Sequence, residues 1–210
     1  MDSVRYNVIE MMRRARKDVV ITSPYLIPGE AGIETFRNST ERWGVKYTLV
    51  TNSLAATDEP VVHTGYRRYR PEMLKLGMNL YELSPQKVSR SLRLGRFSSS
   101  IGRLHAKSAV VDGERVFIGS MNFDPRSDQH NTEMGLFIQS PQLAQQMLKL
   151  VDVIRQQGAY KVVLAPNGKD ILWTTTGPGG REEVVEEPET DAWTRIMLEV
   201  LSVIAPEGLL

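Results

Sequence analysis

The stretch Leu104-His105-Ala106-Lys107-Ser108-Ala109-Val110-Val111-Asp112-Gly113-Glu114-Arg115-Val116-Phe117-Ile118-Gly119-Ser120-Met121-Asn122 decides how this chain is read. Leu104 to Val111 has the composition of a strand, Asp112-Gly113 is a hairpin signal, and Arg115 to Ser120 is a second run of β-formers. Side chains two apart on a strand share a face, so His105 and Lys107 point the same way. A two-residue loop sets His105 opposite Ser120 and Lys107 opposite Ile118, whereas a four-residue loop sets His105 opposite Asn122 and Lys107 opposite Ser120. Either register gathers His105, Lys107, Ser120 and Asn122 on one face; a three-residue loop breaks that arrangement.

An imidazole, an ammonium, a hydroxyl and an amide on one face suit a phosphoryl group. A neutral imidazole attacks phosphorus or shuttles a proton, while Lys and Asn donate hydrogen bonds to the oxygens whose charge must be held. This chemistry needs no metal or other cofactor, and a chain with three histidines and no cysteine is poorly supplied for a metal cluster. Asp112 is read as structural, because aspartate in a turn bonds nearby backbone and tolerates unusual dihedrals.

Outward from this hairpin, helical and strand patterns alternate. A helical stripe of Val4, Val8, Met11, Met12 and Ala15 precedes a strand at Asp18 to Leu26. A helix around Ala31 to Trp43, a strand at Lys46 to Thr51, a helix at His63 to Leu76 and a strand at Asn79 to Leu83 follow. Beyond the hairpin, Glu133 to Ile138 reads as a strand and Pro141 to Gln157 as a helix. The pattern implies an α/β domain with a mixed, largely parallel sheet flanked by helices, an α/β/α sandwich. We expect residues 1–160 to form this unit and 161–210 an extension. The extension holds a hairpin of Lys161 to Ala165 with Asp170 to Thr175, a mobile acidic linker at Thr176 to Asp191, and an amphipathic helix. That helix sets Trp193, Met197, Val200 and Ile204 on one side, expected to pack against the domain rather than enter lipid.

Composition bounds the partners. With 26 basic and 25 acidic residues, the net charge of +1 gives no global pull toward nucleic acid, so only local patches argue for a polyanion. Lys87 to Arg103 is Ser-rich and basic and runs directly into the His105 strand. Its functional reading is a lip whose Arg93, Arg96 and Arg103 gather anionic headgroups; its plain reading is a solvated loop. Tyr66-Arg67-Arg68-Tyr69-Arg70 reads as a helix with tyrosines inward and arginines exposed, although interleaved aromatics and arginines keep a nuclease in play. His63 and His130 read as solvent-facing or loop-packed. The apolar runs at Val19 to Ile27 and Met197 to Ala205 are too short to span a bilayer.

The pattern H-x-K-x4-D followed by G-S-x-N, met at His105, Lys107, Asp112, Ser120 and Asn122, resembles the signature of the phospholipase D superfamily. Ser23-Pro24-Tyr25-Leu26-Ile27-Pro28, Asn122-Phe123-Asp124-Pro125-Arg126-Ser127 and Asn131-Thr132-Glu133-Met134-Gly135 are similar to the C-terminal half of bacterial cardiolipin synthases, most of all the C-type branch. So, more weakly, is the tail with Leu172-Trp173, Glu187-Pro188 and Trp193.

The resemblance implies a phospholipase D-like catalytic repeat over residues 1–160 and a phosphatidyltransferase working through a phosphohistidine. His105 would be general acid/base, with nucleophile as the alternative, Lys107 and Asn122 would hold phosphoryl oxygens, Ser120 would assist and Glu133 would orient the imidazole. Such enzymes pair two H-x-K motifs in one site, and here His63 and His130 supply no second one. The partner motif is then expected from an N-terminal half of the same protein or from a second copy in a homodimer. The resemblance also implies a phospholipid substrate and a cytoplasmic place, peripheral on the inner face of a bacterial inner membrane. The alternatives are a homodimeric phosphodiesterase or nuclease, and a non-catalytic fragment that binds phospholipid or a partner half.

Overall fold

A computed structural model describes residues 3–91, 102–124, 132–176, 182–194 and 196–198. In chain order the elements are α1 (Val4–Arg13), β1 (Asp18–Thr22), α2 (Gly29–Trp43), β2 (Lys46–Asn52), α3 (Pro60–Lys75), β3 (Asn79–Leu83) and α4 (Pro85–Arg90). They continue with β4 (Lys107–Val111), β5 (Arg115–Gly119), β6 (Gly135–Gln139), α5 (Pro141–Gln157), β7 (Ala159–Leu164), β8 (Ile171–Thr176) and β9 (Glu182–Val185). All the strands lie in one sheet of order β6-β5-β4-β1-β2-β3-β7-β8-β9.

Alternating apolar residues divide this sheet into two buried faces. Val19, Ile21, Leu49, Leu80, Val111 and Phe117 meet α1, α2 and α3 on one side. Val50, Tyr81 and Leu83 meet Val88 of α4 and Val151 and Ile154 of α5 on the other, where Val110 and Val116 also pack against Ala144. The α/β/α layering is therefore as expected. Its sheet is not largely parallel: only β1 with β2 and β2 with β3 run parallel, and the other six pairings are antiparallel. The reason is connection length. Helical crossovers α2 and α3 join the parallel strands, whereas the tight turns after β4 and β7 can only reverse the chain.

Several local expectations are corrected. Strand β1 stops at Thr22, because Pro24 has no N–H for a ladder and the Ser23 hydroxyl turns to the Tyr25 carbonyl at 2.5 Å. Part of the basic lip is helix α4, capped by Ser84, whose hydroxyl accepts from Lys87 N at 3.0 Å. Arg93 and Arg96 lie outside the described residues, as does His130. The stretch expected to be an acidic linker contains β9, which pairs with β8, so the C-terminal hairpin and its neighbour extend the same sheet.

Trp193 is 70% exposed and Met197 half exposed, while Leu198 is the residue buried there. Helical spacing puts Leu198 on a different side from that pair, so Trp193 and Met197 are not the packed residues expected; Val200 and Ile204 lie outside the described residues. His63 is buried rather than solvent-facing, and Tyr66 and Tyr69 point inward as expected. Arg70, read as exposed, is buried too, because Glu82 of β3 and Glu187 of the tail converge on it.

Candidate functional site

The site lies where β4 begins and β5 ends. The turn between them carries the predicted features: Asp112 and Gly113 take φ of 56° and 69°, and Glu114 N donates to Val111 O at 3.2 Å. Its register differs from both expected ones. Val111 pairs with Arg115 and Lys107 with Gly119, leaving three residues in the loop. The first and last turn residues bond outward: Asp112 N donates to Asp18 O, and Glu114 O accepts from Ser140 N, both at 2.8 Å. Those outer bonds withhold Glu114 from the β4 ladder.

The shared-face argument for Ser120 and Asn122 therefore fails, and the residues meet by another route. Lys107 opens β4, and His105 precedes it outside the ladder. Gly119 closes β5 opposite Gly135, with the Phe117 ring laid across both; a methyl group on Gly119 would stand 2.7 Å from that ring and 2.5 Å from Met134 O. Past Gly119 the Ser120 hydroxyl donates to Glu133, and Met134 N donates back to it at 2.9 Å. The next segment is held from β1's extension: Ile27 N donates to Phe123 O at 2.7 Å, and Phe123 N to the Ser23 hydroxyl at 3.3 Å.

His105, Lys107, Ser120, Asn122, Glu133 and Arg103 thereby line one cavity of about 960 Å³ on the α4/α5 side of the sheet. Lys107 Nζ donates to His105 O at 2.9 Å and stands 3.5 Å from His105 Nδ1. Burial lowers the Lys107 pKa, against the opposing charges of Glu133, Asp124 and Asp58. Asn122 Oδ1 is shut away from solvent and has no hydrogen-bond partner among the described residues. Glu133, expected to orient the imidazole, is engaged by Ser120. The opposite wall is apolar, built from Val88, Leu104, Ile118, Met147, Leu150 and Ile154.

Asp112 is absent from the cavity lining, and its carboxylate accepts from the backbone N–H groups of Arg16, Lys17 and Asp18 at 2.8–3.3 Å and pairs with Arg115. Burial opposes its ionisation, but these bonds together hold its pKa below the usual carboxylate value. A depressed folded pKa gives stability that is present above the unfolded value of 3.8 and lost as pH falls through the folded one. Asp112→Asn, which tolerates the positive φ, is expected to lose about 1–3 kcal/mol at neutral pH and to flatten the acid limb of stability, checked by urea unfolding between pH 3 and 7.

Two groups beside the site were not singled out from sequence. The Tyr25 hydroxyl donates to Asp58 at 2.6 Å; that bond, against some burial, and the charges of Arg103 and His105 keep the Asp58 carboxyl below its ordinary pKa. Asn52, closing β2, bonds Leu104 through both ends of its side-chain amide. Only Tyr25 lay in a run that drew notice, Ser23 to Pro28; Asn52 in Thr51-Asn52-Ser53 looks like an ordinary strand end.

The family described as cardiolipin synthase, PLD-like domain, matches residues 8–154. The chain belongs to this family. It is 38% identical over 207 residues to Cardiolipin synthase C of Escherichia coli (strain K12), covering 97% of this chain and 43% of that protein. The chain thus spans less than half the length of this relative. Among solved structures it is similar to phosphatidylserine synthase of Haemophilus influenzae Rd KW20, with a TM-score of 0.61 at 14% identity, covering 98% of this chain and 44% of that one. It is also similar to Nuc of Salmonella typhimurium, a phospholipase D family member, with a TM-score of 0.55 at 19% identity, covering 74% and 89%. These two likenesses carry the phospholipase D fold.

Proposed function

We propose that this chain is the C-terminal catalytic half of a cardiolipin synthase-like phosphatidyltransferase. The observation that carries the reading is the convergence of His105, Lys107, Ser120, Asn122 and Glu133 on one cavity, in a family member with a single H-x-K motif. One histidine of a pair attacks phosphorus in line; the P–O bond to the leaving alcohol breaks as a P–N bond forms, and the other histidine protonates the departing oxygen. The acceptor alcohol then gives its proton to that second histidine and displaces the phosphohistidine, replacing P–N with a new P–O bond. Two displacements retain configuration at phosphorus. His105 takes the acid/base role, with nucleophile as the alternative. Lys107 and Asn122 hold phosphoryl oxygens, Ser120 and Glu133 support them, and Arg103 faces the headgroup.

The cavity's apolar wall supports a lipid over a polynucleotide. Ile118 and Leu150 line it while remaining 40% and 51% exposed, so the cavity's apolar wall reaches the protein surface, where hydrocarbon can lie against it. Among the described residues no helix is long and apolar enough to cross a membrane, and contact with lipid in this reading is peripheral, on the inner face of a bacterial inner membrane. The second H-x-K comes from an N-terminal half of the same protein. The second reading, a homodimeric phosphodiesterase, rests on the single motif alone. Turnover of bis(p-nitrophenyl) phosphate by the chain alone and with an added N-terminal half separates them. We expect turnover only with the half; His105-dependent turnover by the chain alone contradicts this reading.

A further inference from the structure

We infer that Asn52 is a positioning residue for His105. The reason begins with strand lengths. Strand β4 is flanked on one side by β1, whose last pair is Thr22 with Ser108. Past that point Ser23 N still donates to Val50 O of β2 at 3.0 Å, and Pro24, the next residue whose N–H would face β4, has none to offer. The residues just before β4 therefore reach the end of the sheet with no neighbouring strand backbone to pair with.

Asn52 closes β2, the next strand over, and is 2% exposed. Its Oδ1 accepts from Leu104 N at 2.9 Å and its Nδ2 donates to Leu104 O at 3.2 Å. One acceptor and one donor are what a strand residue's backbone presents, so the side-chain amide stands in for the missing strand. The residue so clamped is the one whose dihedrals set the direction of His105. Gly102 adds a second hold: its backbone passes so close to Pro85 that a methyl group would lie 2.7 Å from the Pro85 Cα. Fixing both peptide groups of Leu104 leaves the exposed imidazole a single approach to the phosphate position. Loosening them lets it swing, and a displacement of about 1 Å is worth about 10²-fold in rate.

This inference rests on His105 being catalytic, so its test has one arm that needs no reaction. The chain has three histidines, which makes imidazole spectra of histidine-labelled protein simple to assign with His105→Asn. In Asn52→Ala the His105 resonances should shift and broaden while those of buried His63 stay in place. In the complete enzyme, kcat for a phosphodiester with an alcohol leaving group, such as phosphatidylglycerol, should fall about 10²-fold with KM changed less than about threefold. Asn52→Asp keeps an acceptor for Leu104 N and sets a carboxylate against Leu104 O, so it should fall between wild type and Asn52→Ala; it carries the test if the alanine variant does not fold. An unmoved His105 resonance, or a kcat within twofold of wild type in folded protein, overturns the inference. If the wild-type enzyme turns over no phosphodiester, the proposed function fails while the histidine spectra still decide the role of Asn52.

Discussion

Replacing His105 by alanine in the complete enzyme is expected to lower phosphodiester turnover by about 10³-fold or more. An imidazole serves phosphoryl transfer as nucleophile or as acid and base, and Lys107, Asn122 and Ser120 line the same cavity to hold charge around it. Removing it abolishes either the P–N intermediate or the proton transfer to the leaving oxygen, depending on its role. Single-turnover kinetics distinguish the two roles. If His105 is the acid/base, His105→Ala should retain attack on an activated ester whose leaving group needs no proton, such as a p-nitrophenyl ester, and lose alcohol leaving groups. If it is the nucleophile, both should be lost. The fold should be unchanged, because His105 is exposed and lies outside the strand ladder. Turnover within tenfold of wild type would remove His105 from the mechanism.

The second large effect concerns stability and lies on the other side of the sheet. Arg70 is buried between Glu82 and Glu187. Its Nε stands 3.0 Å from Glu82 Oε1 without the alignment of a hydrogen bond, and its Nη2 stands 3.3 Å from Glu187 Oε1. Glu82, with no exposed surface, also accepts from Trp173 Nε1 at 2.8 Å, and the guanidinium lies over the Tyr66 and Trp173 rings. Burial works against ionisation of Glu187, yet neighbouring His63 and the charges of Arg70 and Arg67 hold its pKa at about 2. Deleting Arg70 strands two carboxylates in the interior. Arg70→Ala should cost about 3–5 kcal/mol, since breaking a buried pair leaves an uncompensated charge. For a domain of this size that is a fall in Tm of about 6–20 °C. The double variant Arg70→Ala/Glu187→Gln should lose less than the sum of its singles, because both belong to one network. Additive losses in thermal melts would show that they do not.

The same cluster predicts a pH dependence. Arg70 Nη2 donates to His63 Nε2 at 2.7 Å, which requires a neutral ring protonated at Nδ1. Burial first, then the Arg70 charge, lower the His63 pKa against the opposing pull of Glu187 and Glu82. The unfolded chain then binds more protons than the folded one below the unfolded value of 6.5, so stability is full above that pH and declines as pH falls beneath it. Denaturant unfolding of wild type and His63→Gln should diverge in that window.

These residues show where sequence reading succeeds and stops. Asp112-Gly113 was legible as a turn because its dihedral preference is local, and the assignment of successive strand side chains to opposite faces of the sheet follows from neighbours two apart. The register of that turn was not legible. It is set by Asp18, which opens β1, and Ser140, the N-cap of α5, which bond Asp112 and Glu114 from places that local letters do not encode. Asn52 and Leu104 are 52 residues apart, and Arg70 and Glu187 are 117 apart, so neither pairing has a local signal. His105, Lys107, Ser120, Asn122 and Glu133 line one cavity, but not through the strand register that the sequence suggests. Their union depends on Ser120 bonding Glu133 beyond the ladder, not on alternation within it.

The most direct test of the account supplies labelled phosphatidylglycerol to the complete enzyme in vesicles and follows the products. Label should appear in cardiolipin, and His105→Ala should abolish it. Accumulation of phosphatidic acid alone, or cardiolipin formation that survives loss of His105, would contradict the reading of this chain as the catalytic C-terminal half of a phosphatidyltransferase.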